Sequence, residues 1–139
     1  MRKITVAITV DDKMGIAFNS RRQSRDKNLI ADMCKKHDGD IYVTSRSALL
    51  FEGYEDRIKI VDAPLTDCPD SGFCFVEMTH LGEHVDTIDQ LIVYHWNRHY
   101  PSDKKLDIDI IQCGFKMAAK YEFVGNSHDK ITKGIYKKA

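Results

Sequence analysis

The sequence has no long hydrophobic run, no closely spaced cysteine pair and no net charge. No stretch of 18 apolar residues occurs among its 139 residues, so no segment is expected to span a membrane. The four cysteines at 34, 68, 74 and 113 form no Cys-x-x-Cys pair, which argues against a zinc finger or ribbon. Residues 1–8 lack the apolar core and cleavage site of a signal peptide, so we expect a cytoplasmic protein with reduced cysteines.

The charge balance excludes the strongly basic composition of a dedicated, non-specific nucleic-acid binder, because 21 basic residues face 21 acidic ones. The charges are nevertheless segregated along the chain. Residues 1–49 carry ten basic and six acidic groups, residues 50–90 carry two and ten, and residues 115–139 carry six and two. If the two basic ends met in the fold, they would form a positive face opposite an acidic one, which suits an anionic ligand or a protein partner.

Length and hydrophobic patterning predict a single α/β domain over residues 1–139, with a mixed central sheet flanked by a few helices. Strands are expected at 3–10, 40–44, 57–62, 72–78, 89–96, 106–112 and 115–123. A helix should run to about residue 37 from a start near Ser20 or from Ser24 and Asp26, and a shorter one should cover Ser45–Phe51. The tail from Ser127 to Lys138 fits either a helix capped by Ser127 or a final edge strand.

The first candidate site is the polar run from Asn19 to Asp26, at the start of the first helix. Backbone N–H groups at a helix start favour anions, and guanidinium groups are forked donors for phosphate or carboxylate. The predicted ligand-binding residues are Arg21, Arg22, Gln23 and Arg25. A solvated first helical turn is the alternative interpretation.

The second candidate site is the turn Gly125–Lys130, which places a hydroxyl, an imidazole and an ammonium group close together. His128 is predicted to be a general acid or base, since the ordinary pKa of histidine lies near neutrality. Ser127 and Lys130 are predicted to bind ligand. Ser127 is not expected to pair with His128, because neighbours on a helix point apart. A capped surface turn is the alternative.

The third candidate site follows a buried strand at Tyr94–Asp103. Loops at the carboxyl ends of strands often hold ligands in α/β sheets, and aromatic groups beside arginine suit stacking on a base or ring. Trp96, Asn97 and Tyr100 are predicted to bind ligand, and Arg98 to stabilise charge during catalysis. The alternative is that Trp96 and its neighbours close the edge of the core.

No metal site is predicted. Asp107 and Asp109 could share one face of a strand and hold Mg²⁺, but alternating Asp and Ile on an edge strand more often faces water. The histidine pairs at 80 and 84 and at 95 and 99 have metal-binding spacing only if a helix lies beneath them, which the surrounding sequence does not favour.

Nearly the whole chain resembles a small bacterial family that goes under the name ribonuclease Z. The matching stretches are 10–15, 18–26, 72–77, 94–103 and 123–132. The resemblance implies binding or processing of RNA, a nucleotide or another phosphate-bearing ligand. The His-x-His-x-Asp-His zinc motif of the larger metallo-β-lactamase-fold enzymes with this name is absent, so the resemblance carries no zinc chemistry.

A second resemblance, of layout, is to dihydrofolate reductase. The strand 3–10, the following Asp-Lys-Met-Gly-Ile segment and the helix carrying Asp26 are similar to that family's first strand, mobile loop and helix with its acidic substrate-binding residue. Residues 41–47 are similar to the strand and Arg-containing turn that meet the cofactor phosphates. The Gly-Gly turn that approaches the cofactor in that family is replaced by Glu77-Met78.

Three functional hypotheses follow, with the identity of any cofactor left open. The first is an enzyme or binder acting on a phosphate-bearing ligand through Arg21, Arg22 and Arg25, with His128 moving a proton. The second is a non-catalytic protein-binding regulator or mobile-element accessory protein, suggested by the segregated charges. The third is an NADPH-dependent reductase related to dihydrofolate reductase, with Asp26 as the acidic substrate anchor.

Overall fold

The computed structural model describes residues 2–138. The strands are β1 (Ile4–Val10), β2 (Gly15–Ala17), β3 (Ile41–Val43), β4 (Ile58–Ile60), β5 (Phe73–Phe75), β6 (Ile88–His95), β7 (Lys104–Lys105), β8 (Phe115–Phe123) and β9 (Ile131–Lys138). The helices are α1 (Lys27–Lys36), α2 (Ser45–Ala48) and α3 (Pro64–Asp67), with 3₁₀ turns at Leu49–Phe51, Glu55–Arg57 and Gly82–His84.

Seven strands form one mixed sheet in the order β4-β3-β5-β1-β6-β9-β8, which confirms the predicted α/β domain. Strands β3, β4, β5, β1 and β6 run parallel, while β9 is antiparallel to both β6 and β8. A separate antiparallel pair joins β2 to β7. The carboxyl ends of the parallel strands and the β8–β9 turn therefore share one edge of the sheet, where ligands bind in open α/β folds.

Each face of the sheet carries its own hydrophobic core, because β1 is buried on both sides. One core contains Leu65, Leu81 and Leu106 from irregular segments and α3. The other contains the buried face of α1, formed by Leu29, Ile30, Met33 and Cys34. Helix α1 thus begins at the edge of the sheet that holds the carboxyl ends of the parallel strands, and it packs across one face.

The acidic and basic segments of the chain lie toward opposite edges of the sheet. The acidic segment 50–90 supplies β4 and β5, and the basic segment 115–139 supplies β8 and β9. Strand β6 separates β1 from β9 in the sheet, but the two basic segments meet at the start of α1, where Asp26 accepts the backbone N–H groups of Asn126 and Ser127. No helix within residues 2–138 is long and apolar enough to cross a membrane.

The expected strand at 106–112 is wrong. This segment is irregular, and the Asp107 carboxylate accepts hydrogen bonds from the backbone N–H groups of Leu81 at 2.7 Å and Gly82 at 3.0 Å. Asp109 accepts the backbone N–H of Gln112 in a local turn. Both aspartate side chains hold loop backbone in place. The alternation of Asp and Ile matches the pattern of a strand, but here it serves these loop contacts.

The tail is a strand, and the helical alternative for 127–138 is wrong. Strand β9 is inserted between β6 and β8, so it is an inner strand and not the final edge strand of the second alternative. Gly134 and Lys133 are buried within it. Pairing on both sides outweighs any local preference in this segment.

Helix α1 begins at Asp26, whose side chain accepts the backbone N–H groups of Asn28 and Leu29. The expected start near Ser20 is wrong because residues 19 and 20 adopt left-handed backbone conformations, with φ of 52° and 57°. Ser24 is not the cap either.

A second polar contact fixes the far side of the helix: Asp32 accepts hydrogen bonds from Tyr94 Oη and Lys133 Nζ, each at 2.9 Å.

Replacing Tyr94 with Phe should lower the free energy of unfolding by about 2 kcal/mol, because it removes a buried hydrogen bond to a carboxylate. Burial and the neighbouring Asp32 raise the pKa of Tyr94, so its hydroxyl remains a donor at neutral pH. Urea unfolding measures the change. Tyr121→Phe is the matched control, since that ring is 57% exposed. Equal stability of the two variants would show that the Tyr94–Asp32 bond contributes nothing.

Candidate functional site

Three of the four predicted polar segments converge at the carboxyl edge of the sheet. Asp26 comes from the start of α1, His128 from the β8–β9 turn, and Trp96 and Tyr100 from the loop after β6. His128 Nδ1 lies 2.9 Å from Asp26 Oδ2, and His128 Nε2 lies 2.8 Å from Tyr100 Oη. The fourth segment, with Asp107 and Asp109, holds the backbone of other loops.

The Asp26 carboxylate is completely buried and surrounded by donors. Besides His128 Nδ1, it accepts the backbone N–H groups of Asn28, Asn126 and Ser127 and the Ser127 hydroxyl. Burial alone would raise the pKa of Asp26, but the hydrogen bonds from Asn126, His128, Ser127 and Asn28 lower it to about 2. The carboxylate is therefore ionised at neutral pH.

The ionised carboxylate fixes the tautomer of His128. A carboxylate can only accept, so the ring nitrogen facing it, Nδ1, carries the proton. In the neutral imidazole Nε2 is then an acceptor, and it faces the hydroxyls of Tyr100 at 2.8 Å and Ser24 at 3.2 Å. Carboxylate, imidazole and hydroxyl thus form a continuous proton path.

Close packing holds this imidazole in place. The Trp96 ring stacks on His128 with centroids 4.7 Å apart and an interplanar angle of 22°. Gly125 makes the turn possible, because a Cβ there would lie 2.5 Å from Asp26 Oδ2 and 2.7 Å from the His128 carbonyl oxygen. Ser127 and His128 were expected to point apart because a helix was considered for this segment. The turn is not helical, and Ser127 Oγ lies 3.1 Å from His128 Nδ1.

Tyr100 is positioned by a second buried carboxylate, that of Asp11. Asp11 accepts the backbone N–H groups of Tyr100, Lys13 and Gly15 and the Gln23 side-chain amide. Burial opposes ionisation, but these hydrogen bonds together lower the pKa of Asp11. Asp11 therefore ties the loop after β1 to the loop after β6, and it engages Gln23, which was predicted to bind ligand.

Two cavities open beside this network. The larger, about 1170 Å³, lies between the start of α1 and residues 49–54, and its lining includes Ser24, Arg25, Asp26, Lys27 and Ser127. The smaller, about 510 Å³, is lined by residues from the 18–23 segment together with Tyr100 and Pro101. Ligand pockets in proteins commonly span about 300–1,000 Å³, so the larger cleft has room for a nucleotide-sized molecule.

The predicted basic residues divide between the cleft and other roles. Arg25 and Lys27 line the large cleft, and neither takes part in an ion pair within residues 2–138. Arg21 lines only the smaller cavity.

Lys130 pairs with Glu122 at the exposed surface, and Arg98 is exposed with no side-chain hydrogen bond to the network. Asn97 holds the loop in place by donating to the Lys130 carbonyl and to Thr132 Oγ1.

Arg22 is bound to Glu77, two residues after the end of β5. Arg22 donates to the Glu77 carboxylate from Nε at 2.9 Å and from Nη2 at 3.0 Å, and Ser47 Oγ donates at 2.8 Å. The Glu77 side chain is only 4% exposed. Arg22 is therefore not a free anion-binding group. Glu77 was missed as a site residue because the predicted strand ran to residue 78, and a charged residue within that apolar segment was the available signal.

No group of three or more His, Cys, Asp or Glu side chains within residues 2–138 is arranged to hold a metal ion. All four cysteines are free thiols, and three of them are buried.

The strand order, the parallel core of the sheet and the antiparallel β9 define a dihydrofolate-reductase-like fold. The chain is similar to the dihydrofolate reductase from Enterococcus faecalis, solved in complex with NADP(H) and RAB-propyl, at a TM-score of 0.66. The match covers 96% of this chain and 95% of that one, with 12% sequence identity. At this identity the likeness shows the fold alone. Neither a protein-family model nor a curated protein sequence matches the chain.

The fold confirms the predicted layout resemblance and leaves the ribonuclease Z resemblance as a prediction. A nicotinamide dinucleotide is the cofactor that the fold family implies, and the residues present do not fit it. Where the resemblance places the backbone against the cofactor, the buried Glu77 carboxylate already holds Arg22 and Ser47, so neither side chain is free to bind a phosphate.

Replacing Asp26 with Asn should destabilise the protein at neutral pH, because the amide can no longer hold its donors by charge. The pKa of Asp26 is lowered from 3.8 to about 2, so its contribution is present above pH 3.8 and is lost as pH falls through about 2. The difference in unfolding free energy should be about 2 kcal/mol at pH 7 and should shrink below pH 3. Asp38→Asn, at an exposed position, is the control for urea unfolding at each pH. A difference that does not change with pH would contradict the role assigned to the charge.

Proposed function

We propose that this protein is an enzyme that binds a small nucleotide-like ligand in the large cleft and moves a proton through His128, which the Asp26 carboxylate orients. The observation that carries the proposal is the buried chain from Asp26 through His128 to Ser24, which opens into that cleft. A buried ionised carboxylate, a histidine of defined tautomer and a hydroxyl at a cavity wall are a general-base arrangement.

The chemistry of the cleft supports an anionic ligand. Arg25 and Lys27 supply cationic groups at one wall, and their side chains are exposed. Leu49, Leu50 and Tyr54 line the cleft as well and supply apolar and aromatic surface for a planar ring. A heterocycle joined to a phosphate or carboxylate matches both features. The fold neighbour was solved with NADP(H), which favours a nucleotide-like ligand over an RNA chain, while the Arg22–Glu77 pair opposes the dinucleotide itself.

In the proposed reaction His128 accepts a proton at Nε2 through the Ser24 or Tyr100 hydroxyl. The resulting imidazolium is stabilised by the Asp26 carboxylate, which keeps its hold on the Nδ1 proton. Trp96 excludes water from one face of the ring, so the proton leaves by the same hydroxyls.

Ligand binding should raise the melting temperature. A nucleoside phosphate at about a hundred times its dissociation constant stabilises the folded state by about 2.7 kcal/mol, which shifts the melting temperature by several degrees. The shift should fall in Arg25→Gln and Lys27→Gln and persist in Lys116→Gln, a control that removes an exposed charge from β8. No shift with any nucleoside mono-, di- or triphosphate would overturn the ligand class. A shift only with single-stranded RNA, lost at high salt, would favour the ribonuclease resemblance instead.

NADPH-dependent reduction is the second candidate, and the fold favours it. The Arg22–Glu77 pair opposes it, since a dinucleotide would have to displace a buried carboxylate held by three hydrogen bonds. We therefore expect NADPH at millimolar concentration to leave the melting temperature of the wild-type protein unchanged. Saturable stabilisation by NADPH, larger than that by ADP, would instead favour an NADPH-dependent reductase.

A further inference from the structure

Ser24 has the environment of an activated nucleophile. Its Oγ lies 3.2 Å from His128 Nε2, and the other ring nitrogen is held 2.9 Å from the Asp26 carboxylate. The three groups come from two segments that are 102–104 residues apart in the sequence. The order of carboxylate, imidazole and hydroxyl is that of the triads that activate serine.

Tyr100 lies at the same ring nitrogen of His128 as Ser24. Because Nδ1 carries a proton, Nε2 accepts, so the Ser24 hydroxyl can donate to Nε2 while its oxygen accepts the Tyr100 hydroxyl at 3.3 Å. Tyr100 Oη also lies 2.8 Å from Nε2, so in a second arrangement the Tyr100 hydroxyl donates to that nitrogen in place of Ser24. The two hydroxyls face different spaces: Ser24 lines the large cleft, whereas Tyr100 lines the smaller cavity. Ser24 is the hydroxyl of this pair that a ligand in the large cleft would meet.

We propose that Ser24 is a nucleophile and that the protein hydrolyses carboxylic esters of an anionic ligand. The inference rests on the proposed function, because the anionic group of the ester would bind Arg25 and Lys27 at the cleft wall. Ester hydrolysis is the reaction class that a hydroxyl nucleophile, its base and water can carry out without a metal or redox group.

The reaction balances in two half-steps. Ser24 Oγ attacks the ester carbonyl carbon while its proton passes to His128 Nε2. The tetrahedral intermediate then collapses, and the departing alcohol oxygen takes that proton, leaving the acyl group on Ser24. Water repeats the sequence: it gives a proton to Nε2, attacks the acyl carbon and releases the acid, and the proton returns to Ser24 Oγ.

A fluorophosphonate probe tests the nucleophile directly, because an activated serine displaces its fluoride and keeps the phosphonyl group. Wild-type protein incubated with the probe should carry one label, located on Ser24 by peptide mass spectrometry. The labelling rate should fall at least about 100-fold in His128→Gln, since general-base catalysis contributes about 10²–10⁴-fold. Ser45→Ala should label at the wild-type rate, because Ser45 is an exposed serine at the start of α2.

The wild-type result alone decides the inference, even if His128→Gln fails to fold. No label, or label on a residue other than Ser24, overturns it. If Ser24 is unlabelled while nucleoside phosphates still raise the melting temperature, the nucleophile fails and the proposed function stands. If Ser24 is labelled and no nucleoside phosphate binds, the nucleophile stands and the ligand class of the proposed function fails.

Discussion

The buried carboxylate of Asp26 joins two parts of the chain that lie about 100 residues apart. It caps α1 through Asn28 and Leu29, and it receives the backbone of Asn126 and Ser127 from the β8–β9 turn. A buried charge is tolerated only when donors surround it, so the helix and the turn must sit where they do for Asp26 to remain ionised. The same charge orients His128. One carboxylate thus determines the start of a helix, the shape of a distant turn and the tautomer of the histidine.

Much of the fold could be predicted from local pattern, because its inner strands are apolar on both faces. Strands β1 and β6 stand out in this way, and the apolar spacing of α1 announces a helix. The failures have one physical cause: the deciding interaction lies elsewhere in the chain. Residues 106–112 are held by loop backbone at Leu81 and Gly82, and β9 is extended because it pairs with β6 and β8. Neither partner can be read from the segment itself.

The site residues show the same division. His128, Trp96 and Tyr100 were identified from residue type and position, and Asp26 from the resemblance to dihydrofolate reductase, but only the strand order brings them together at one edge. Arg22 has a side chain suited to binding anions, but it is bound to Glu77, 55 residues away. Ser24 was noted only as a possible helix start, since its nearness to His128 depends on a turn 104 residues later. The chemical type of a side chain can be read from the sequence, whereas its freedom to bind a ligand depends on the residues it contacts in the fold.

The position of β9 also constrains the order in which the protein can assemble. Strand β9 follows β8 in the chain but lies between β8 and β6 in the sheet. During synthesis β8 therefore emerges with no neighbour to pair with, and it stays unpaired until β9 has been made. The turn carrying His128 lies between these two strands, so it can close onto Asp26 only when the sheet does. Burial of the Asp26 charge is in this way a late event, and a nascent chain halted before β9 would have the helix but not the site.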